Sequence, residues 1–192
     1  MILPILYFGN IQYWIDIAVS EEIRCASSNP IPKKSYANRT VIATANGLQT
    51  LSIPLVGGRG LRIPMHDIHI SYAENWVSKH KMALQSAYSN SPFYEHYIDH
   101  YHTILDRKHE RLASLNLELF QATRRILKLN QEISVDPNLP ADYSQYPPHH
   151  YQEINPYPQV FRNRYPFQSD LSILDLIFNL GNRARDYLLP KF

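Results

Sequence analysis

The hydrophobic period changes once along this chain, and the position of that change decides the fold class. Up to about residue 75 the apolar residues come mostly in short runs or strict alternation, as in strands; beyond it they recur every three or four residues, as in helices. Such a chain is expected to form an α/β domain, with a mixed sheet from the N-terminal part covered by the later helices. Its 192 residues suit a single core. With 44% hydrophobic and 19% charged residues it is too apolar to stay disordered, so its 14 prolines must occupy defined places.

Residues 2–7 form a continuous apolar run closed by Gly9-Asn10, and apolar positions 11, 14, 15 and 18 follow at helical spacing. A short strand at 21–26, carrying Ile23 and Cys25, completes a parallel βαβ unit of the usual right hand. Residues 27–36 are rich in Pro, Ser and Lys and read as a loop. On either side of Asn46-Gly47, residues 38–44 and 48–53 alternate, which predicts an antiparallel hairpin. A further short strand is expected at 67–71, a helix at 76–88 stopped by Ser89-Asn90-Ser91-Pro92, and a long helix over about 95–130 with an apolar stripe from Ile98 to Leu127. Pro137, Pro140, Pro147, Pro148, Pro156 and Pro158 exclude regular structure across much of 136–165. An amphipathic helix at 171–189, with Ser172 as N-cap and Gly181 placed to interrupt it, ends a single domain spanning 1–192. Its sheet-forming part is about 1–75, its helical part about 76–132, and the proline- and tyrosine-rich loop with the last helix fills about 133–192.

The formal net charge is +2 and basic residues nowhere run beyond pairs such as Lys33-Lys34 or Arg124-Arg125, so nucleic acid is not an expected partner. Cys25 is the sole cysteine, which excludes an intrachain disulfide and a thiolate metal cluster and suits a reducing compartment. The apolar start lacks a basic flank and is broken by Pro4, and no stretch reaches the ~20 apolar residues of a membrane span. A cytoplasmic protein is the expectation, with self-association left open.

GxxxxGK[ST], GxGxxG, GxSxG and HExxH are all missing, so P-loop hydrolysis, a standard dinucleotide site, a nucleophile elbow and a zincin site have no support, and no cofactor is expected. His96 and His100 fall on one helical face beside Asp99 and His102, a spacing that binds zinc when a third ligand arrives; none is identifiable, and no metal is expected. Gly57-Gly58-Arg59-Gly60 either wraps an anion or is a flexible turn. The loop from Lys33 to Arg39 delivers two ammonium groups, the Asn38 amide and a guanidinium just before a strand, groups that bind phosphate or carboxylate unless they simply face water. Trp76 and His80, with Tyr88, offer a base beside an aromatic wall, unless they are simply a packed helix with a satisfied histidine, the more ordinary arrangement.

Pro4-Ile-Leu-Tyr-Phe8, Lys34-Ser-Tyr-Ala-Asn-Arg39, Leu51-Ser-Ile-Pro-Leu55, Trp76-Val-Ser-Lys-His80 and Ala87-Tyr-Ser-Asn-Ser-Pro-Phe-Tyr94 occur in the order seen in the WbqC-like family, which the chain resembles. Pro158-Gln-Val-Phe161, Phe167 and Ser172 to Gly181 resemble that family's C-terminal block; Cys25-Ala-Ser-Ser28 departs from it where many members carry an acidic residue. The resemblance implies bacterial surface-polysaccharide biosynthesis (O-antigen or capsule) and a transferase adding an aminoacyl or acyl group to a sugar or nucleotide-sugar. The alternative is a non-catalytic binding or scaffold protein of the same pathway. The residues it singles out are Lys34 and Arg39 to hold a phosphate or carboxylate, Asn38 to orient it, His80 as general base and Tyr88 to stack on a ring. Gln159, Ser172 and Asp175 join them as ligand-binding candidates, although helix capping is the more ordinary role for Ser172 and Asp175. A small anionic or sugar ligand is the partner so implied.

Overall fold

The computed structural model describes residues 1–58, 61–146 and 154–190. β1 (Ile2–Pro4) leads to a turn in which Phe8 and Gly9 take positive φ, and Asn10 then caps α1 (Ile11–Val19) by accepting from the Tyr13 backbone N–H at 3.1 Å. α1 buries Ile11, Tyr13, Trp14, Ile17 and Ala18 and returns the chain to β2 (Glu22–Ala26), parallel to β1. β3 (Arg39–Thr44) and β4 (Gly47–Ser52) form the antiparallel hairpin, a sheet of its own. With α2 (Trp76–Tyr88), α3 (Tyr94–Asp106), α4 (Leu112–Ile126), α5 (Ile173–Leu180) and α6 (Arg183–Leu188), the fold is α/β with one parallel and one antiparallel sheet. Among the described residues no helix is long and apolar enough to cross a membrane.

Four local expectations change. The single helix over 95–130 is two helices: Lys108 takes a left-handed φ of 52°, and the connection pairs with residues 68–70 through Ile70 N–H to Glu110 O (2.9 Å) and Leu112 N–H to Ile68 O (2.9 Å). Tertiary hydrogen bonds thus outbid a continuous helical stripe. The strand expected at 67–71 is reduced to isolated bridges, Leu55 with Ile70 and His69 with Arg111. A strand the period analysis passes over, β5 (Glu132–Asp136), pairs parallel to β2 and makes β2 the centre of the order β1-β2-β5. In the hairpin, Thr44 faces Gly47, so the turn centres on Ala45-Asn46. Gly47 alone is left-handed there (φ 102°), so this is a bulged connection and not the primed turn, which needs positive φ at both central residues.

α5 is buried on all sides, as its apolar composition requires. Each of its Leu and Ile side chains is worth roughly 1.5–3 kcal/mol of burial, and Phe178 packs against Tyr88, Tyr94 and Tyr101. Ser172 N–H donates to Val41 O (2.8 Å) and Ile173 N–H to Gly9 O (3.1 Å), so this helix ties the hairpin to the β1–α1 turn. It ends at Gly181, which takes φ 55° where the sequence placed an interruption.

Candidate functional site

The hairpin register sets the first cluster. Arg39 opens β3 opposite Ser52, and just before it Asn38 grips the far strand twice, its carbonyl accepting from Ile53 N–H (2.8 Å) and its Nδ2 donating to Ile53 O (3.0 Å). Lys34 stands on the preceding turn in a left-handed conformation (φ 60°), an uncommon one for a residue with a Cβ. Lys33, Lys34, Asn38 and Arg39, together with Ser52, Ile53, Pro54, Leu55 and Leu61, line a cleft of about 700 Å³. Three cations sharing a lining with apolar residues suit an anion attached to a less polar body. Gly58 also lines the cleft, whereas Arg59 and Gly60 lie outside the described residues.

His80 does not open into this cleft. Its ring is 4% exposed, wedged between Tyr7 and Trp76, with Nδ1 2.9 Å from the Tyr7 hydroxyl. Burial pulls its pKa down to about 4, with the Ser52 backbone carbonyl acting in the opposite sense as an acceptor from the ring. Burial thus keeps the ring neutral, and its Nδ1 shares one hydrogen bond with the Tyr7 hydroxyl. Such a histidine, enclosed between Tyr7 and Trp76, acts as a packed brace beside the hairpin and not as an open base.

At the other end of β3 lies a second cluster. Asp175, fully buried in the first turn of α5, accepts from the Tyr157 hydroxyl at 2.5 Å and from Gln159 Nε2 at 3.3 Å, both through Oδ2. Burial raises its pKa to about 6, while the donors around it pull it back down. Burial first, and then the same carboxylate, pushes the Tyr157 and Tyr88 hydroxyls well above their usual range. Tyr88 is enclosed against Phe178 and presents no ring face to a ligand; its hydroxyl, like Asp175 Oδ1, makes no regular hydrogen bond, though the two groups feel each other electrostatically. Ser172 acts as the N-cap of α5, its Oγ accepting from Leu174 N–H at 3.3 Å. Gln159 holds both the Gln168 carbonyl (2.9 Å) and its N–H (3.1 Å).

Lys34, Asn38 and Arg39 therefore meet, and Tyr88, Gln159, Ser172 and Asp175 stand apart from them. Tyr157, Tyr7 and Asp170 escaped the sequence reading. Asp170 accepts from Asn10 Nδ2 (2.5 Å) and the Tyr36 hydroxyl (2.6 Å), a convergence of distant segments with no local pattern. His96 and His100 are exposed on α3, and among the described residues no group of three or more His, Cys, Asp or Glu could hold a metal ion.

The family model of the WbqC-like protein family matches residues 6–147. The chain belongs to that family. The match includes the whole Lys34–Arg39 loop, His80 and Tyr88, and stops before Gln159, Ser172 and Asp175. No curated protein and no solved structure matches the chain.

Proposed function

We propose that this protein binds the anionic head of a nucleotide-sugar or sugar phosphate in the β3–β4 cleft and serves bacterial surface-polysaccharide biosynthesis in the cytoplasm as a group transferase, adding an aminoacyl or acyl group to that sugar. The observation that carries the ligand class is the meeting of Lys34, Asn38 and Arg39 beside the apolar wall of Ile53, Pro54 and Leu55. Membership of the WbqC-like family supports the polysaccharide setting. In this reading Lys34 and Arg39 grip the phosphate, Arg39 through its planar fork. Asn38 fixes the mouth of the hairpin, and His80 positions the cleft wall through Ser52.

A specific observation favours a second reading, a non-catalytic binding protein of the same pathway. Among the described residues lining the cleft there is no carboxylate, histidine or cysteine to move a proton or attack a carbonyl. An NMR-followed titration with nucleotide-sugars, sugar phosphates and free amino acids tests both. Backbone signals of Lys34, Asn38 and Arg39 should shift with phosphate-bearing ligands and stay still with the parent sugars. Silence at millimolar phosphate ligand removes the proposal; binding without an acylated product when an activated acyl donor is added selects the second reading.

A further inference from the structure

Outside the cleft, residues after 154 form a strap whose bend folds back on the hairpin turn, the Tyr165 hydroxyl donating to Ala45 O at 2.9 Å. Between this bend, the hairpin turn and the end of α2 lies a separate pocket of about 460 Å³, within the roughly 300–1,000 Å³ of small-molecule sites. Its polar lining is mostly amide, from Asn90, Gln159, Asn163 and Asn179 beside Ser91, with Arg164 the one charged side chain among the described lining residues. Among those residues the side chains of Asn90, Asn163 and Arg164 make no hydrogen bond or ion pair. Gln159, by contrast, is locked by Gln168 and Asp175, so the wall is fixed on one side and available on the other.

Phe161 lines this pocket and also an adjoining apolar recess of about 60 Å³ beneath Leu48. Amide side chains both donate and accept, as sugar hydroxyls do, and an aromatic ring covers the apolar face of a pyranose. A cluster of cations, which an anion would call for, is absent from the described lining. The geometry points to a second ligand site here, for an uncharged sugar bearing a methyl group, an N-acetylhexosamine in which the acetyl methyl enters the recess under Phe161 and Leu48. β3 runs from Arg39, which lines the cleft, to Thr44, and Ala45, which lines this pocket, follows it; at ~3.3 Å per residue the two residues are about 20 Å apart along the chain, so this site is separate from the cleft.

Saturation-transfer NMR with free N-acetylglucosamine, N-acetylgalactosamine, glucose and galactose tests the assignment, since none of these carries the phosphate the cleft is proposed to bind. The N-acetyl sugars should receive transfer, strongest at the acetyl methyl, with glucose and galactose at least several-fold weaker. Asn163→Ala and Phe161→Ala, each checked for an unchanged melting curve, should abolish the transfer, and Lys34→Ala should leave it intact. Asn163 is exposed, so that variant separates lost binding from lost folding. No transfer to any of the four sugars, transfer that survives both pocket substitutions, or transfer lost in Lys34→Ala overturns the site, whatever the fate of the phosphate cleft.

Discussion

Asp175 and His80 titrate in opposite directions, and their opposition gives the sharpest prediction at the level of single residues. The folded pKa of Asp175 is raised to about 6, so the folded state holds a proton that the unfolded chain releases from about pH 4 upward, and stability falls as pH rises through 6. His80 is lowered to about 4, so the unfolded chain takes up a proton below about pH 6.5 that the folded ring refuses, and stability falls as pH drops toward 4. Each effect is on the order of 3 kcal/mol, the two largely cancelling across the same window. In chemical denaturation between about pH 4 and 6.5, Asp175→Asn should therefore make stability rise more steeply with pH than in the wild type. His80→Gln should make it fall. Parallel pH profiles for all three proteins would show that neither buried group titrates as its surroundings imply.

Elements whose neighbours in sequence are also their partners in space were legible; those decided at a distance were not. The hairpin, α2 and the divided C-terminal helix follow from alternation, helical period and a glycine. β5 joins β2 across more than a hundred residues (Glu22 opposite Glu132), and the break between α3 and α4 exists to pair with residues 68–70, neither of which a local window contains. The glycines give two contrasting tests. A Cβ on Gly47 meets nothing within 4 Å, so Gly47→Val should cost only the left-handed strain of a β-branched residue, about 1 kcal/mol or slightly more. A Cβ on Gly181 falls 2.6 Å from the Phe93 ring in addition to its positive φ, so Gly181→Ala should cost more, roughly 2–3 kcal/mol. Equal melting losses for the two variants would contradict this division between strain and steric overlap.

At the scale of the molecule, α5 ties β3 to the β1–α1 turn, and the site residues divide into those close in sequence and those that only such long-range ties bring together. Lys34, Asn38 and Arg39 lie within one short loop, so their chemistry was readable before their meeting was known. Tyr157 and Asp175 come together only because the proline-rich strap crosses α5, and the amide pocket only because that strap bends against Ala45. His80 is likewise enclosed by a partner from a distant segment, Tyr7, which no local window around residue 80 contains. The central claim, that the basic cleft holds an anionic sugar derivative, is tested most directly by calorimetric titration of wild type and Arg39→Ala with a nucleotide-sugar, alongside their melting curves. Loss of one charge-assisted pair costs ~1.5–3 kcal/mol, so affinity should fall roughly ten- to a hundredfold while the melting temperature barely moves. Equal affinity in the two proteins, no binding by the wild type at millimolar ligand, or an Arg39→Ala protein that unfolds would each contradict the claim.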